Sequence, residues 1–186
     1  KEGLKREGVS TEHVVSMPGT ASGIALITVD ASGQNTIVVA PGANRCLSPV
    51  HVEAAEAILE RSDVLLLQLE IPLEAVELAV HLARDHRCRI ILNPAPAKDV
   101  GQQILWHVDY LVLNEVEAAT LTGLDVVDPS SAQKAAVALR ELSNGGGVVL
   151  TMGARGALLL RDYEKPTLVP APAIPVVDTT AAGDAF

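Results

Sequence analysis

Short apolar runs alternate with segments of helical periodicity from about residue 45 onward. Continuous apolar runs predict buried β-strands, at residues 63–69, 89–92, 110–113 and 147–151. The intervening segments are predicted to be helical, over residues 49–61, 72–86, 114–122 and 129–142, with a short helix between 92 and 110. This β-α-β alternation predicts one domain, residues 1–186, with an α/β fold of three α/β/α layers around a mainly parallel sheet.

Helix-end signals support these segments. Ser48 followed by Pro49 is a typical helix start, because Ser caps free N–H groups and Pro suits the first helical position. Gly123 is expected to end the helix that begins near Asn114, in the left-handed conformation that glycine adopts readily.

The first forty residues follow a different pattern. Residues 23–29 and 36–40 are apolar and rich in β-branched side chains, and the turn-rich stretch 30–35 separates them. This predicts a β-hairpin outside the α/β body. Its apolar faces would need cover from a ligand or another subunit.

Composition narrows the function classes. The chain has 186 residues, 48% apolar, with a net charge of -9, which argues against nucleic acid as a partner. One nucleotide remains compatible, because backbone N–H groups can hold phosphate. No apolar run reaches membrane-spanning length, so no membrane partner is expected. Cys46 and Cys88 form no metal or redox motif, and we expect reduced thiols in a cytoplasmic, or also nuclear, protein.

Polar residues follow directly after the predicted strands. Glu70, Asn93, Asn114 and Thr151 each stand at or just beyond a strand's carboxyl end. Ligands of parallel α/β sheets bind outside these ends. The sequence therefore predicts the functional site there.

The last segment, residues 177–186, has the composition of an anion site. Small residues precede an expected helix start near Ala182, where N–H groups and the helix dipole favour an anion. Asp184 could there accept a hydroxyl proton during phosphoryl transfer. Alternatively, it is an ordinary first-turn acid.

Residues 178–184, Asp-Thr-Thr-Ala-Ala-Gly-Asp, resemble the signature of the ribokinase-like (PfkB-type) carbohydrate kinases. The resemblance implies that Asp184 is the catalytic base and contacts the sugar. It implies an anion hole formed by the N–H groups of Ala181, Ala182 and Gly183, the last also touching the nucleotide. Asp178 and Thr180 match potassium-binding positions. Ala181 stands where many members have glycine.

Two further motifs agree with this family. Asn114 and Glu117 resemble its Asn-x-x-Glu, in which Asn approaches the nucleotide and Glu organises Mg²⁺ indirectly; a capping box explains the pair equally well. The second motif resembles a nucleotide-binding Thr-x-Gly-x-x-Gly loop, with a plain β-turn as the alternative. It consists of Thr151, Met152, Gly153, Ala154, Arg155 and Gly156.

Three segments favour the ribose branch of the family over fructose or adenosine kinases. Residues 68–70 place Glu70 where it would bind ribose, although it could instead be a charge at a helix N-terminus. Residues 93–97 resemble the same branch, and we interpret Asn93 as a turn residue. The third segment is residues 41–44, part of a stretch over residues 12–44 that resembles a β lid covering the sugar and pairing two subunits into a homodimer.

The resemblance implies that ATP, with Mg²⁺ and activating K⁺, phosphorylates the 5-hydroxyl of D-ribose. The family's amino-terminal sugar-binding motif and its carboxyl-terminal helices are not found in these residues, so we expect a domain incomplete at both ends. A kinase for another sugar such as fructose, or a non-catalytic truncated isoform, remains an alternative. A dinucleotide-dependent dehydrogenase is disfavoured, because no Gly-x-Gly-x-x-Gly follows the first strand of the α/β body.

Overall fold

The computed structural model describes residues 1–30, 35–161, 164–173 and 183. The elements of the amino-terminal part are α1 Glu2–Arg6, β1 Ile24–Val29, β2 Asn35–Ala40, a 3-10 turn at Gly42–Cys46, α2 Pro49–Glu53 and α3 Glu56–Leu59. The remaining elements are β3 Val64–Leu67, α4 Leu73–Asp85, β4 Arg89–Leu92, α5 Gln102–Leu105, β5 Tyr110–Asn114, α6 Glu115–Thr122, α7 Pro129–Leu142, β6 Gly147–Thr151, a 3-10 turn at Gly153–Arg155, β7 Ala157–Leu160 and β8 Thr167–Val169.

The main sheet has the strand order β3-β4-β5-β6-β7-β8. Strands β3 to β6 pair in parallel, whereas β7 and β8 add an antiparallel margin. The predicted mixed α/β fold with a mainly parallel sheet is confirmed. The sequence analysis placed no strand at β7 or β8, which are short, with four and three residues.

The two faces of the sheet differ in burial. On one face, strand residues such as Ile90, Leu111 and Leu150 are fully buried against α4 to α7 in a single core cluster. On the other face Leu66 is 72% exposed, and Ile91, Val112 and Val149 are half-buried. An apolar second face explains why the strands are continuously apolar instead of alternating.

The predicted hairpin is confirmed as a separate two-stranded antiparallel sheet. Side chains on both of its faces are exposed, with Leu26 at 67% on one face and Ile37 at 49% on the other. Gly42 fixes the base of this hairpin, because a Cβ there would lie 2.4 Å from the carbonyl oxygen of Ala21. The hairpin therefore projects from the body as an uncovered apolar ribbon.

Most predicted helix boundaries hold. Helix α7 has the predicted bounds, and Gly123 ends α6 with a φ of 70°. The single helix predicted over 49–61 is wrong, because the chain turns at Ala54 and Ala55 between α2 and α3. Hydrogen bonds spanning three residues, from the N–H of Ala55 to the carbonyl of Val52 and from that of Ile58 to the carbonyl of Ala55, tighten the chain there.

Candidate functional site

The carboxyl edge of the parallel strands brings the predicted site residues together. Asn114 ends β5 and is the register partner of Thr151, which ends β6. Asn93 follows β4, and its side-chain amide donates to the carbonyl of Val112 in β5 at 2.9 Å. Three strand ends and their polar side chains are thus neighbours, as the sequence predicted.

Glu117 is the most enclosed acidic residue of this edge, at 8% exposure. Its Oε2 accepts from the Asn114 backbone N–H at 2.9 Å and from the Asn93 amide at 3.4 Å. Its Oε1 accepts from the Asn114 amide at 3.0 Å, while the Glu117 N–H donates to Asn114 Oδ1 at 2.9 Å. The capping box exists, and it fixes a carboxylate whose hydrogen-bond partners in the described chain are neutral.

The loop from Thr151 to Gly156 forms a tight turn beside this cluster. The Met152 N–H donates to the Gly156 carbonyl at 2.8 Å, and the Met152 side chain is 2% exposed in the core. Gly153 and Ala154 are exposed at the tip. At Gly156, with a φ of 94°, a Cβ would lie 2.0 Å from the Val169 carbonyl oxygen. Only glycine therefore fits at position 156. The exposed backbone at Gly153 and Ala154 is accessible to a ligand.

Arg155 connects this loop to the Asn114–Glu117 capping box. Its guanidinium forms an ion pair with Glu115 at 2.5 Å and donates to the Val127 carbonyl. Glu115 follows Asn114 directly, so Arg155 joins the two predicted nucleotide-binding motifs. The Arg155 side chain therefore connects these two motifs, and its predicted contact with the nucleotide stays a prediction.

Glu70 lies in a cleft of about 460 Å³ between the hairpin base and the sheet edge. Val39, Pro41 and Arg45 line it from the hairpin side, whereas Leu69, Pro96 and Lys98 line it from the body. The Lys98 ammonium donates to the Leu69 carbonyl at 2.9 Å. The exposed Glu70 carboxylate therefore stands on a segment that Lys98 fixes in place.

Residues 93–98 link the two halves of the edge. Asn93 contacts Glu117, whereas Pro96 and Lys98 line the Glu70 cleft. The sequence placed Asn93 at the predicted site edge but favoured a turn role for it, and it did not single out Lys98. The signal for Asn93 was its place after a strand, next to Asn114 in the sheet, but no spacing rule indicates that its amide reaches Glu117.

The predicted catalytic segment lies outside the described residues. This applies to Asp178, Thr180, Ala181, Ala182 and Asp184. Gly183 is described and lies in a turn, where an added Cβ would meet no described atom within 4 Å. The predicted roles of this segment as base, anion hole and potassium ligands stay predictions.

The donor set of the edge fits an indirectly held divalent cation. Mg²⁺ in phosphoryl-transfer sites keeps waters and takes ligands from the substrate phosphates. The fixed carboxylate of Glu117 could accept hydrogen bonds from waters bound to such a cation. The described residues contain no group of three or more His, Cys, Asp or Glu arranged around one metal position.

Other chemistry is limited in the described chain. Burial raises the pKa of the Cys88 thiol, and the carboxylates of Asp63 and Asp109 raise it further. Cys88 is therefore a protonated core residue rather than a nucleophile. None of the described helices combines the length and the apolar character needed to span a bilayer.

Comparison with known proteins identifies the family. The sequence profile described as pfkB family carbohydrate kinase matches residues 1–186. The chain is 39% identical over 186 residues to a ribokinase of Haemophilus influenzae, covering 100% of this chain and 60% of that protein. It is 37% identical over 187 residues to a deoxyribokinase of Salmonella typhi, covering 98% of this chain and 60% of that protein.

A solved structure shows the same fold. The Arabidopsis thaliana ribokinase complexed with ribose and ATP superposes with a TM-score of 0.78 at 27% identity, covering 89% of this chain and 54% of that chain. The chain thus spans about 60% of the length of the curated relatives it matches.

Proposed function

Because the chain belongs to the pfkB family of carbohydrate kinases, we propose that the protein transfers the γ-phosphoryl group of ATP to the 5-hydroxyl of D-ribose. The observation that supports this most is the carboxyl edge itself, where the Asn93, Asn114 and Glu117 cluster adjoins the Glu70 cleft. The 39% identity to a ribokinase and the fold shared with a ribokinase bound to ribose and ATP support the same substrates.

The sugar is proposed to bind in the cleft between the hairpin and the body. The Glu70 carboxylate would accept hydrogen bonds from sugar hydroxyls, and Lys98 would keep the Glu70 segment in place through the Leu69 carbonyl. The apolar hairpin would cover the sugar and exclude water.

The nucleotide is proposed to bind along the ends of β5 and β6. The tip of the loop at Gly153 and Ala154 would approach it through backbone groups, beside Asn114 and Thr151. When bound with ATP, Mg²⁺ would offset the charge of the phosphate oxygens, and Glu117 would hold its waters. The contribution of Glu117 is a fixed negative charge, oriented by Asn93 and Asn114.

The proton of the 5-hydroxyl is proposed to pass to Asp184 as the oxygen attacks the γ-phosphorus. The N–H groups of Ala181, Ala182 and Gly183 would stabilise the transferring phosphoryl group. Bound K⁺ would fix the backbone of this anion hole through Asp178 and Thr180. These roles rest on the match of residues 178–184 to the family signature.

The base assignment is tested by Asp184→Asn. The substitution keeps the side-chain size but cannot accept the proton, so turnover should fall about 10²–10⁴-fold. A coupled assay for ADP release measures this, and binding of ATP should persist. Turnover close to that of the unmodified protein would exclude Asp184 as the base.

A second candidate substrate is 2-deoxyribose, because the chain is 37% identical to a deoxyribokinase. We expect kcat/KM to favour ribose, since a site that binds the 2-hydroxyl leaves polar groups unpaired with the deoxy sugar. Competition between ribose, 2-deoxyribose and fructose in one assay decides this. A preference for 2-deoxyribose or fructose would replace ribose as the substrate, and absence of turnover with all three would favour a non-catalytic role.

Assembly and location are part of the proposal. The exposed apolar side chains of the hairpin, such as Leu26 and Val38, favour a homodimer in which two hairpins cover each other. Sedimentation of the protein at several concentrations tests this. The free thiols of Cys46 and Cys88 favour a cytoplasmic, reducing location.

A further inference from the structure

A second cleft lies at the opposite edge of the main sheet, where the parallel strands begin. It has a volume of about 370 Å³. Three arginines line it, namely Arg84, Arg89 and Arg161, together with the rings of Trp106, His107 and Tyr110. None of these residues belongs to the kinase motifs.

The sheet brings these residues to one place from distant parts of the sequence. Arg89 opens β4 and Tyr110 opens β5, while Arg161 directly follows Leu160, the register partner of Val148 in β6. Ile90 and Leu160 are buried on the helix-covered face at 0% and 1% exposure. Because side chains alternate along a strand, Arg89 and Arg161 point to the opposite face.

Gly147 makes room for the Tyr110 ring at the floor of this cleft. It opens β6 and pairs in register with Tyr110. A Cβ at Gly147 would lie 2.5 Å from the Tyr110 ring, so a side chain does not fit here without a shift. The Tyr110 ring therefore packs over the backbone of Gly147 and forms one wall of the cleft.

Helix ends account for only part of the cationic character of the cleft. Arg84 lies in the last turn of α4, where a cation offsets the negative end of the helix dipole. Residues 143–146, which follow the carboxyl end of α7, also line the cleft, whereas Arg89 and Arg161 lie at strand ends. A second reason is needed for their convergence with Arg84.

Carboxylates offset this charge only in part. Asp109 accepts a hydrogen bond from the Ile90 N–H at 2.7 Å, and its other oxygen is 3.9 Å from Arg84. Arg161 is 3.5 Å from Glu164, and both side chains are at least half exposed. The Arg89 guanidinium has no ion-pair or hydrogen-bond partner in the part of the chain that the structure describes. A local excess of positive charge is notable in a protein of net charge -9.

We propose that this cleft binds a small polyphosphate anion, such as tripolyphosphate or the di- or triphosphate of a nucleoside. One guanidinium group can donate two parallel hydrogen bonds to a phosphate group. Several guanidinium groups in one cleft therefore bind an anion with several phosphate groups more tightly than an anion with one. Trp106, which is 47% exposed, and Tyr110 offer ring surfaces for a base. The site is separate from the proposed kinase site, because it lies at the other end of the strands.

Trp106 provides a local probe, because it is the one tryptophan of the sequence. We expect titration with tripolyphosphate to change its fluorescence in a saturable way, with an affinity that weakens as salt is raised. The double variant Arg89→Gln/Arg161→Gln should weaken binding at least about tenfold, as expected for lost charge-assisted hydrogen bonds.

Arg87→Gln is the matched control. Arg87 is exposed and lies two residues before Arg89 but does not line the cleft, so its variant should bind like the unmodified protein. Thermal unfolding of each variant checks that the fold is retained. Absence of a saturable signal, or equal affinities of the double variant and the control, would overturn the proposal.

Titrations with ADP, pyrophosphate and adenosine distinguish a nucleotide from a polyphosphate without a base as the ligand. Tighter binding of ADP than of pyrophosphate, lost in the double variant, would indicate a nucleotide site. Equal binding of ADP and pyrophosphate would indicate recognition of the polyphosphate alone. Binding of adenosine at the affinity of ADP would contradict the proposal, because the arginines would then contribute nothing.

Discussion

The two edges of the main sheet have opposite chemical character. At the carboxyl edge, the side-chain amides of Asn93 and Asn114 donate hydrogen bonds to the carboxylate of Glu117. At the amino edge, Arg84, Arg89 and Arg161 line one cleft with Asp109 as the carboxylate among them. One sheet can thus present a preorganised anionic cluster at one end and an incompletely neutralised cationic cleft at the other.

Helix direction contributes to this difference. Helices α6 and α7 begin at the carboxyl edge, capped by Asn114 and Asp128. Their positive dipole ends therefore favour phosphate at that edge, even though its side chains are acidic. A phosphate bound there would be stabilised by backbone dipoles, and the Glu117 carboxylate would interact with the waters of the cation.

Among the variants that compare the two edges, Glu117→Gln has the largest expected effect. The new amide group would face the donors of Asn93 and Asn114, and the negative charge would be lost. We expect kcat/KM for ATP to fall about 10–100-fold, as for other residues that support a metal through water. A titration of activity against Mg²⁺ should shift to higher concentration.

Asp109→Asn is the control at the amino edge, since it also converts a carboxylate to an amide. It should leave turnover unchanged. Equal losses of activity in both variants would remove the functional distinction between the edges.

Asn114→Ala tests how far the carboxyl edge depends on its capping box. The Glu117 N–H and carboxylate would both lose a partner, so the free energy of unfolding should fall by about 1 kcal/mol. Urea denaturation measures this. Asn114→Asp keeps the acceptor for the N–H but adds a carboxylate beside Glu117, so it should restore less than the full stability. An unchanged free energy of unfolding in Asn114→Ala would show that the capping box does not stabilise this edge.

Arg155→Gln tests whether the two nucleotide motifs act as one unit. The Arg155–Glu115 pair is partly exposed, at 41% and 30%, so the effect should be modest. We expect the KM for ATP to rise about two- to fivefold with kcat retained. Arg61→Gln, an exposed arginine of the same chain, is the control. A fall in kcat at unchanged KM would contradict this positioning role.

The smallest expected effect concerns the other helix cap of this edge. Hydrogen bonds from Ser131 lower the pKa of Asp128, the backbone N–H bond first. A lowered pKa in the folded state stabilises the protein above the pKa of the unfolded chain, and this contribution is lost as the pH falls through the folded-state pKa. Asp128→Asn should therefore weaken the acid dependence of the urea midpoint below about pH 4. An identical acid dependence in the variant would exclude Asp128 as its source.

The carboxyl edge was largely predictable, and the amino edge was not. Asn114, Thr151 and Glu70 follow apolar runs directly, so the strand pattern alone places them at one edge. The amino-edge arginines are separated along the chain and form no motif. Their convergence depends on the register of β4, β5 and β6 and on the antiparallel return of β7, which the hydrophobic pattern did not predict.

Side-chain contacts were the least predictable part of the site. Spacing predicted the Asn114–Glu117 box, because both residues lie in one helical turn. The contacts of Asn93 with Glu117 and of Arg155 with Glu115 span 24 and 40 residues. Only the packed sheet brings such residues within hydrogen-bond distance.

The most direct test of the proposed ribose kinase activity is a phosphorus NMR spectrum of the protein incubated with ribose, ATP and Mg²⁺, because it detects the phosphorylated sugar itself. We predict a phosphate ester signal split by the protons of a CH₂ group, as for ribose phosphorylated at its 5-hydroxyl, and much less of it with Glu117→Gln. A spectrum that shows inorganic phosphate alone, or an ester at another hydroxyl, would contradict the assignment of the carboxyl edge as a ribose kinase site.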